Sequence, residues 1–561
     1  MINHLIFLFY IYFFLFSSIG YGIKFSNLIN KNLVNLNLGW YGIIGFFLIS
    51  FISLFTSFFV SHNFLHNFIL HIIGFIFFIS SLFKKKNFYE HKILIYLSLL
   101  LIVAAYVFKN HDDFPYYHLT YALNLSENSF IVGTGNFSHG FRTFSSLFYY
   151  HSTLFFPFIN YHLFHIGPFY ILFFFNFIII RKLIEDLKSN NHDITFYYSL
   201  LSLIFINLVF YRIGEHGTDR SSQILLILLF LLFIKISIIK DNSQILTSLT
   251  LMAILVTLAA SMKAIYYLYF LLPLISIFQK KLFYELMNKK NFVLLLIIFF
   301  CFGLNLITYY LNTGCFLYPA EKTCLFNAEW SIPKNEVKIM SIHYEWWAKA
   351  GGGPGYTHDL EKHDYVKNFF WLENWIKRHF FNKVSDTLIG TIFLCFLVTI
   401  SFCFSSKKKL RKFKINLKLV YFLILFFLIE WFLNHPSMRY GGFVLIGLPL
   451  IIFSSSIIIK FNISKKKVYN LTVFFVLLSI LMFNLRNIIR INKEINIYGY
   501  KPLSSPFFYV KDVDFIVTAE DKELKIFSPV NDSCWASKTP CSYNNNLKIS
   551  NFLWMKMVSR K

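Results

Sequence analysis

Apolar runs, each ended by a short polar break, set the pattern of this chain. They are His4–Ile23, Trp40–Val60, Leu65–Phe83, Ile93–Phe108, Tyr161–Ile180, Ile194–Ile213, Gln223–Ile239, Ile245–Ser261, Ala264–Phe278, Phe292–Leu311, Thr387–Phe404, Leu419–Leu433, Gly441–Ile459 and Val468–Phe483. A helix needs roughly 17–25 apolar residues to cross the hydrocarbon of a bilayer. The pattern therefore predicts an all-α polytopic membrane protein with about fourteen transmembrane helices. Met1–Ile23 lacks a basic leader and reads as a first membrane helix rather than a cleaved signal.

The breaks carry the domain plan. Residues 1–92 hold accessory N-terminal helices, 93–486 a transmembrane core with outer loops at 109–160 and 312–386, and 487–561 a small C-terminal domain. The second outer loop places Trp330, Trp346, Trp347, Trp371 and Trp375 among amphipathic stretches, which predicts short helices lying at the membrane interface. Gly351–Gly355 reads as a hinge within it. No Gly-Lys-Ser/Thr follows, so it is not a phosphate loop. In the tail, Phe507–Val510, Asp514–Val517 and Lys525–Phe527 predict strands of a small extracytoplasmic α/β appendage.

Composition fits this class: 56% of the 561 residues are hydrophobic, more than soluble domains carry. A formal charge of +25 raises nucleic acid as a partner. No aromatic-interleaved RNA-binding motif is present, and the cations fall in blocks between runs, so the expected partner is the lipid bilayer and not nucleic acid. The blocks are Lys84–Lys86, Arg181-Lys182, Lys280-Lys281 with Lys289-Lys290, Lys407–Lys409 with Arg411-Lys412, and Lys465–Lys467. Such blocks mark cytoplasmic loops, and helix counting puts all of them on one side. The expected location is a bacterial cytoplasmic (inner) membrane, multi-pass, with the chemistry facing the extracytoplasmic side.

Of 7 cysteines, Cys301, Cys395 and Cys403 lie in apolar runs. Cys315 with Cys324, and Cys534 with Cys541, form near pairs on the outer side, where oxidation is permitted, and predict two short-loop disulfides. A four-cysteine metal site is the alternative. It needs the loop and the tail to meet, and neither pair has CxxC spacing.

Four polar signals sit at outer ends of the runs, where a charge is costly to place. The first is His111-Asp112-Asp113 before Phe114-Pro115-Tyr116-Tyr117-His118. One of its acids either caps the next helix, with Pro115 in the first turn, or accepts a proton from a hydroxyl. Glu215-His216-Gly217-Thr218-Asp219-Arg220 opens a later helix, and Thr218 or Asp219 is its candidate cap. Lys263 is a lone outer cation that departs from the positive-inside pattern, unless it snorkels at the surface. His435-Pro436-Ser437-Met438-Arg439-Tyr440 follows Glu430, which offers either a Glu430–Arg439 salt bridge or a phosphate fork at Arg439. No ligand set has metal spacing, although an acid pair beside histidine suits a divalent cation.

These residues resemble the GT-C superfamily of polytopic glycosyltransferases, which take sugars from polyprenyl-phosphate donors on the extracytoplasmic face. Asp112-Asp113-Phe114-Pro115-Tyr116-Tyr117-His118 resembles the acidic pair that opens their first large outer loop. Gly217-Thr218-Asp219 is similar to a second acid that opens a later helix, and Pro436-Ser437-Met438-Arg439-Tyr440 to an Arg-Tyr segment near the end of the core. The likeness spans about Ile93 to Ile459. Three helices precede the matched region, so four precede the acidic pair where the family usually has one, and no WWDxG motif is present, which argues against an oligosaccharyltransferase.

The resemblance implies an inverting transferase with Asp113, or Asp112, as general base. It places Lys263, Arg439 and Arg220 at the leaving phosphate. It makes His111, His118, Tyr117, Glu215, His216, Asp219, Glu430, His435 and Tyr440 further substrate contacts. The implied partners are a polyprenyl-phosphate sugar and an envelope acceptor. A transporter or flippase of lipid-linked glycans, or a glycan polymerase, is the competing reading.

Overall fold

Each apolar run carries a helix in the computed structural model, which describes residues 2–29, 33–82, 88–215, 217–351, 360–404, 406–407, 417–531, 533–536 and 538–561. Among the described residues, ten helices are long and apolar enough to cross a membrane. They are Ile2–Ile29, Leu38–Ser57, Phe64–Leu82, Gly167–Ser189, Gly217–Ile238, Asn242–Met262, Asn291–Thr313, Leu372–Cys403, Met438–Lys460 and Lys465–Tyr498. Shorter helices occupy the other four runs: Phe88–Leu101, Ile194–Val209, Leu271–Lys280 after a 3-10 stretch, and Lys418–Asn434. Helices suit hydrocarbon because they satisfy their own backbone polar groups. Their ends are marked by polar side chains: Asn37, Asp193, Asp241 and Ser437 each accept a backbone N–H at a helix start.

The bundle is layered by burial. Leu38–Ser57, Gly217–Ile238 and Asn242–Met262 are 83% buried over their apolar windows, whereas Phe64–Leu82 and Leu372–Cys403 are 28% buried. The first set forms the centre and the second an outer wall with apolar side chains turned outward. Buried polar pairs tie central helices together, as where Asn207 Nδ2 donates to Asn176 Oδ1 at 2.9 Å.

Small residues let the N-terminal helices approach closely. A Cβ at Gly45 would lie 1.6 Å from the Ser18 carbonyl oxygen, and one at Gly22 would lie 1.8 Å from that of Tyr41. Backbone cannot yield as a flexible side chain does, so Gly45→Ala is expected to cost about 1–3 kcal/mol. The melting midpoint of the solubilised chain measures it. Gly390→Ala is the control, because no heavy atom lies within 4 Å of a Cβ there.

Gly167–Ser189, Ile194–Val209, Gly217–Ile238 and Asn242–Met262 alternate in direction, so the turns after Val209 and Met262 share one end of the bundle. That end also receives residues 109–118, as the ion pairs below establish. The loop that follows Thr313 supplies helices Lys334–Lys349 and Lys362–Tyr365 and then enters the Leu372–Cys403 helix. The opposite end carries a separate ionic cluster, in which Arg181 meets Glu90 at 3.0 Å.

Beyond Tyr498 the tail's regular structure among the described residues is β, which corrects the expected α/β appendage. Two antiparallel hairpins form it, Phe515–Glu520 with Lys525–Pro529 and Leu547–Phe552 with Met555–Arg560. Phe507–Val510 is not a strand, and the second hairpin lies where no strand was expected. Its turn runs through Leu553 at φ +55° and Trp554, without the Asn-Gly or Asp-Gly signal that makes hairpins legible. The hairpin joins the first outer loop through a parallel bridge, Val132 with Met557. Disulfides link Cys315 to Cys324 and Cys534 to Cys541. The expected hinge residues Gly352–Gly355 and the cations Lys84–Lys86, Lys408, Lys409, Arg411 and Lys412 lie outside the described residues.

Candidate active site

Four charged residues from four segments meet at the loop-bearing end. Asp113 precedes a single π-helical turn, Phe114–His118. It stands at a cap position yet makes no side-chain cap bond, so it does not serve as the simple helix cap. Its Oδ2 accepts from Arg439 Nη2 at 2.5 Å. Asp219 lies in the first turn of Gly217–Ile238. One of its oxygens accepts from Arg439 Nε at 2.6 Å, and the other pairs with Lys263 Nζ. Arg439 thus binds two different acids through separate nitrogens of one planar guanidinium, a fixed fork that lysine's point-like ammonium lacks.

Local structure explains how these groups arrive. Lys263 ends Asn242–Met262 in an extended conformation, which turns its side chain out of the helix path. Ser437 caps the next segment by accepting from Arg439 N–H, and Gly441 breaks helical geometry two residues later. A Cβ at Gly441 would sit 1.9 Å from the Trp431 ring, so glycine allows the close pass beside Trp431. Gln223 Nε2 donates to the Met438 carbonyl at 3.4 Å and joins the Asp219 helix to the Arg439 segment.

Electrostatics follow from this closure. The side chains are 15% exposed at Asp219, 18% at Lys263, 25% at Asp113 and 31% at Arg439, so water screens the pairs only partly. Two acids and two cations make the quartet neutral. Burial pushes the Asp113 carboxyl up, but Arg439, His118 and His111 together outweigh it, and the group lies below its ordinary value. His111 Nδ1 lies 3.5 Å from Asp113 Oδ2. Burial holds His118 down to about 4, so its imidazole is neutral at pH 7. Tyr117 is pushed well above 10, first by burial and then by Asp113, and keeps its proton.

An aromatic rim surrounds the quartet. The Lys263 ammonium lies 4.6 Å from the Tyr440 ring centre, and the Arg439 guanidinium 5.7 Å from that of Trp347. Trp347 meets Tyr440 at 5.9 Å, edge to face. Beside the quartet, His118, His151, His165, Phe114, Phe148 and Gly217 border a narrow cavity. A Cβ at Gly217, whose φ is +48°, would touch the His118 ring at 3.4 Å.

Other candidate residues lie apart. Asp112 is exposed, and the bond to Arg439 belongs to Asp113. Glu430 does not pair with Arg439. Its carboxylate lies 3.7 Å from His435 Nε2 and accepts from Asn434 at 3.3 Å, because the turn at 435–437 carries Arg439 toward Asp219. His435 approaches Tyr440 at 6.2 Å between ring centres. Arg220 places its guanidinium 5.2 Å from the Phe210 ring centre. Glu215 is described only in its backbone, and His216 lies outside the described residues. Among the described residues no group of three or more His, Cys, Asp or Glu side chains is arranged to hold a metal ion.

Sequence reasoning did not place Trp347 or Gln223 at the site. The Trp346-Trp347 pair was visible only as an interfacial signal. No curated protein and no solved structure matches the chain. The model of a domain of unknown function, DUF8201, matches residues 4–446 and takes in all four members of the quartet. The chain belongs to the DUF8201 family.

Proposed function

We propose that the chain is an inverting glycosyltransferase of a bacterial inner membrane. It moves a sugar from a polyprenyl-phosphate donor to a cell-envelope acceptor on the extracytoplasmic face. One observation carries this reading: Arg439 contacts both Asp113 and Asp219, and Lys263 closes the cluster on Asp219. Acids that take a proton beside cations that receive a phosphate are the complement this reaction requires. The lysine blocks between runs support the orientation, and counting the four shorter helices as spans is part of this reading.

The chemistry follows from the contacts. The acceptor oxygen attacks C1 of the sugar, and its proton passes to the Asp113 carboxylate. The bond from C1 to the phosphate oxygen breaks, and its electron pair leaves on the lipid phosphate. Lys263 and Arg439 stabilise the charge that grows there. Paired with Arg439, Asp113 has too little proton affinity for a good base. A donor phosphate that engages Arg439 draws the guanidinium away, and burial then raises that affinity. Asp219 keeps both cations oriented. His111, His118, Tyr117 and Tyr440 border the sugar, with Arg220, Glu430 and His435 farther out.

Reconstituting the full chain with a radiolabelled polyprenyl-phosphate sugar and an envelope extract tests the proposal. Label is expected to leave the lipid and appear on an acceptor. Label that crosses the bilayer while still lipid-linked would replace this reading with a flippase, and label that does neither would remove both.

A further inference from the structure

The turn that carries Asp113 is held from outside by the C-terminal tail. Phe114–His118 is a π-helical turn, a geometry that is rare and gathers at functional sites. Two of its carbonyls accept donors from the tail. Trp535 N–H donates to the Pro115 oxygen at 2.9 Å, and the Tyr543 hydroxyl donates to the Tyr116 oxygen at 3.2 Å. The Tyr543 hydroxyl in turn accepts Cys534 N–H at 2.9 Å. Its ring lies 4.9 Å from that of Tyr116, and the Phe508 ring meets Phe114 edge-on at 5.2 Å.

The donors are themselves fixed. Cys534 and Cys541 are buried and disulfide-linked. Phe527 N–H donates to the Pro540 oxygen at 3.0 Å, and Ser542 N–H donates to the Phe527 oxygen at 2.8 Å, which zips this segment onto a tail strand. Trp535 adopts φ +50°, a left-handed conformation that a bulky residue holds only when its surroundings impose it. That conformation aims its N–H at Pro115. All of these tail residues lie beyond residue 446, outside the part of the chain that the DUF8201 model matches.

We propose that the tail is a positioning element of the active site: Trp535 and Tyr543, held by the Cys534–Cys541 bridge, set the π turn that aims Asp113 at Arg439. The kinetic consequence rests on the glycosyltransferase reading, and the geometric one does not. Tyr543 and Trp535 are positioning residues because they reach the turn's backbone and not the reacting groups.

Two variants of the full chain test it, Tyr543→Phe, which keeps the ring and loses the hydroxyl, and the double variant Cys534→Ser with Cys541→Ser. Hydrogen exchange of the peptide spanning 114–121 is the first readout. It is expected to quicken a few-fold in Tyr543→Phe and about tenfold or more in the double variant, while the central helices keep their protection. If the double variant does not insert, Tyr543→Phe decides alone. Sugar transfer is the second readout, with kcat falling in the same order and the donor KM holding within about twofold. Unchanged exchange at 114–121, or faster exchange with an unchanged kcat, would overturn the proposal. A wild-type chain without transfer activity would remove the glycosyltransferase reading and leave the exchange result to decide the brace.

Discussion

Asp113→Asn is expected to lower sugar transfer by about 10²–10⁴-fold, the usual contribution of a positioned general base. Asparagine keeps the shape and can still accept from Arg439, so the fold is expected to persist. It cannot take the acceptor's proton. Asp112→Asn is the matched comparison, because Asp112 is exposed and the contact with Arg439 is Asp113's. Its transfer rate is expected within about threefold of wild type. Equal losses in the two variants, or normal transfer by a correctly inserted Asp113→Asn, would remove Asp113 from the role of base.

The second large effect belongs to Arg439→Ala. It leaves Asp113 and Asp219 without their shared partner, and because the pairs are only half-buried the cost falls between that of an exposed pair, under about 1 kcal/mol, and the ~3–5 kcal/mol of a fully buried one. Lys263 still contacts Asp219, which places the loss toward the lower end of that range. Transfer is expected to fall below detection, since the leaving phosphate loses its fork. Arg439→Lys keeps a charge but cannot reach both acids along one plane, and is expected to recover only part of the stability.

The same variant reverses a pH dependence. In the wild type the Asp113 carboxyl lies below its unfolded value. Its contribution is therefore fully present above the unfolded value, about 3.9, and is lost as pH falls through the lower folded value. Without Arg439, burial becomes the leading influence and the folded value rises above the unfolded one. Protonation then favours the native state, so Arg439→Ala is expected to gain stability relative to the wild type between pH 7 and pH 5, an interval over which both lose stability through histidines held neutral by burial, such as His118 near 4. Melting midpoints of the purified proteins across that interval give the comparison. A parallel response of the two would mean that Arg439 does not govern the ionisation of Asp113.

The pairing in the quartet shows what a linear reading misses. Glu430 is nine positions from Arg439 and one turn from a helix end, so proximity in sequence offered it as a partner. The structure pairs Arg439 instead with acids 220 and 326 residues away. The choice is made by packing. Ser437 and Gly441 set the direction of the Arg439 segment, Gln223 ties it to the Asp219 helix, and Trp431 fills the space that Gly441 leaves. Ser437 and Gly441 act locally, as a cap and a break, but where the segment they turn will point depends on Gln223 and Trp431, which no local propensity reveals.

Hydrophobic pattern by itself determined the helices of this protein. A run of apolar residues in a bilayer has no other way to satisfy its backbone, so Trp40–Val60 or Ile245–Ser261 is legible without a structure. Asp113, Asp219, Lys263 and Arg439 were legible as single residues for a related reason: a charge at the end of such a run carries a cost that composition reveals. Tertiary structure alone decided that these four touch, that Glu430 turns to His435, that the last residues form hairpins instead of an α/β unit, and that the tail grips the turn beneath Asp113. The physical reason is range. Burial and backbone satisfaction act within one segment, whereas an ion pair, or a hydrogen bond between Tyr543 and Tyr116, depends on how helices hundreds of residues apart pack side by side.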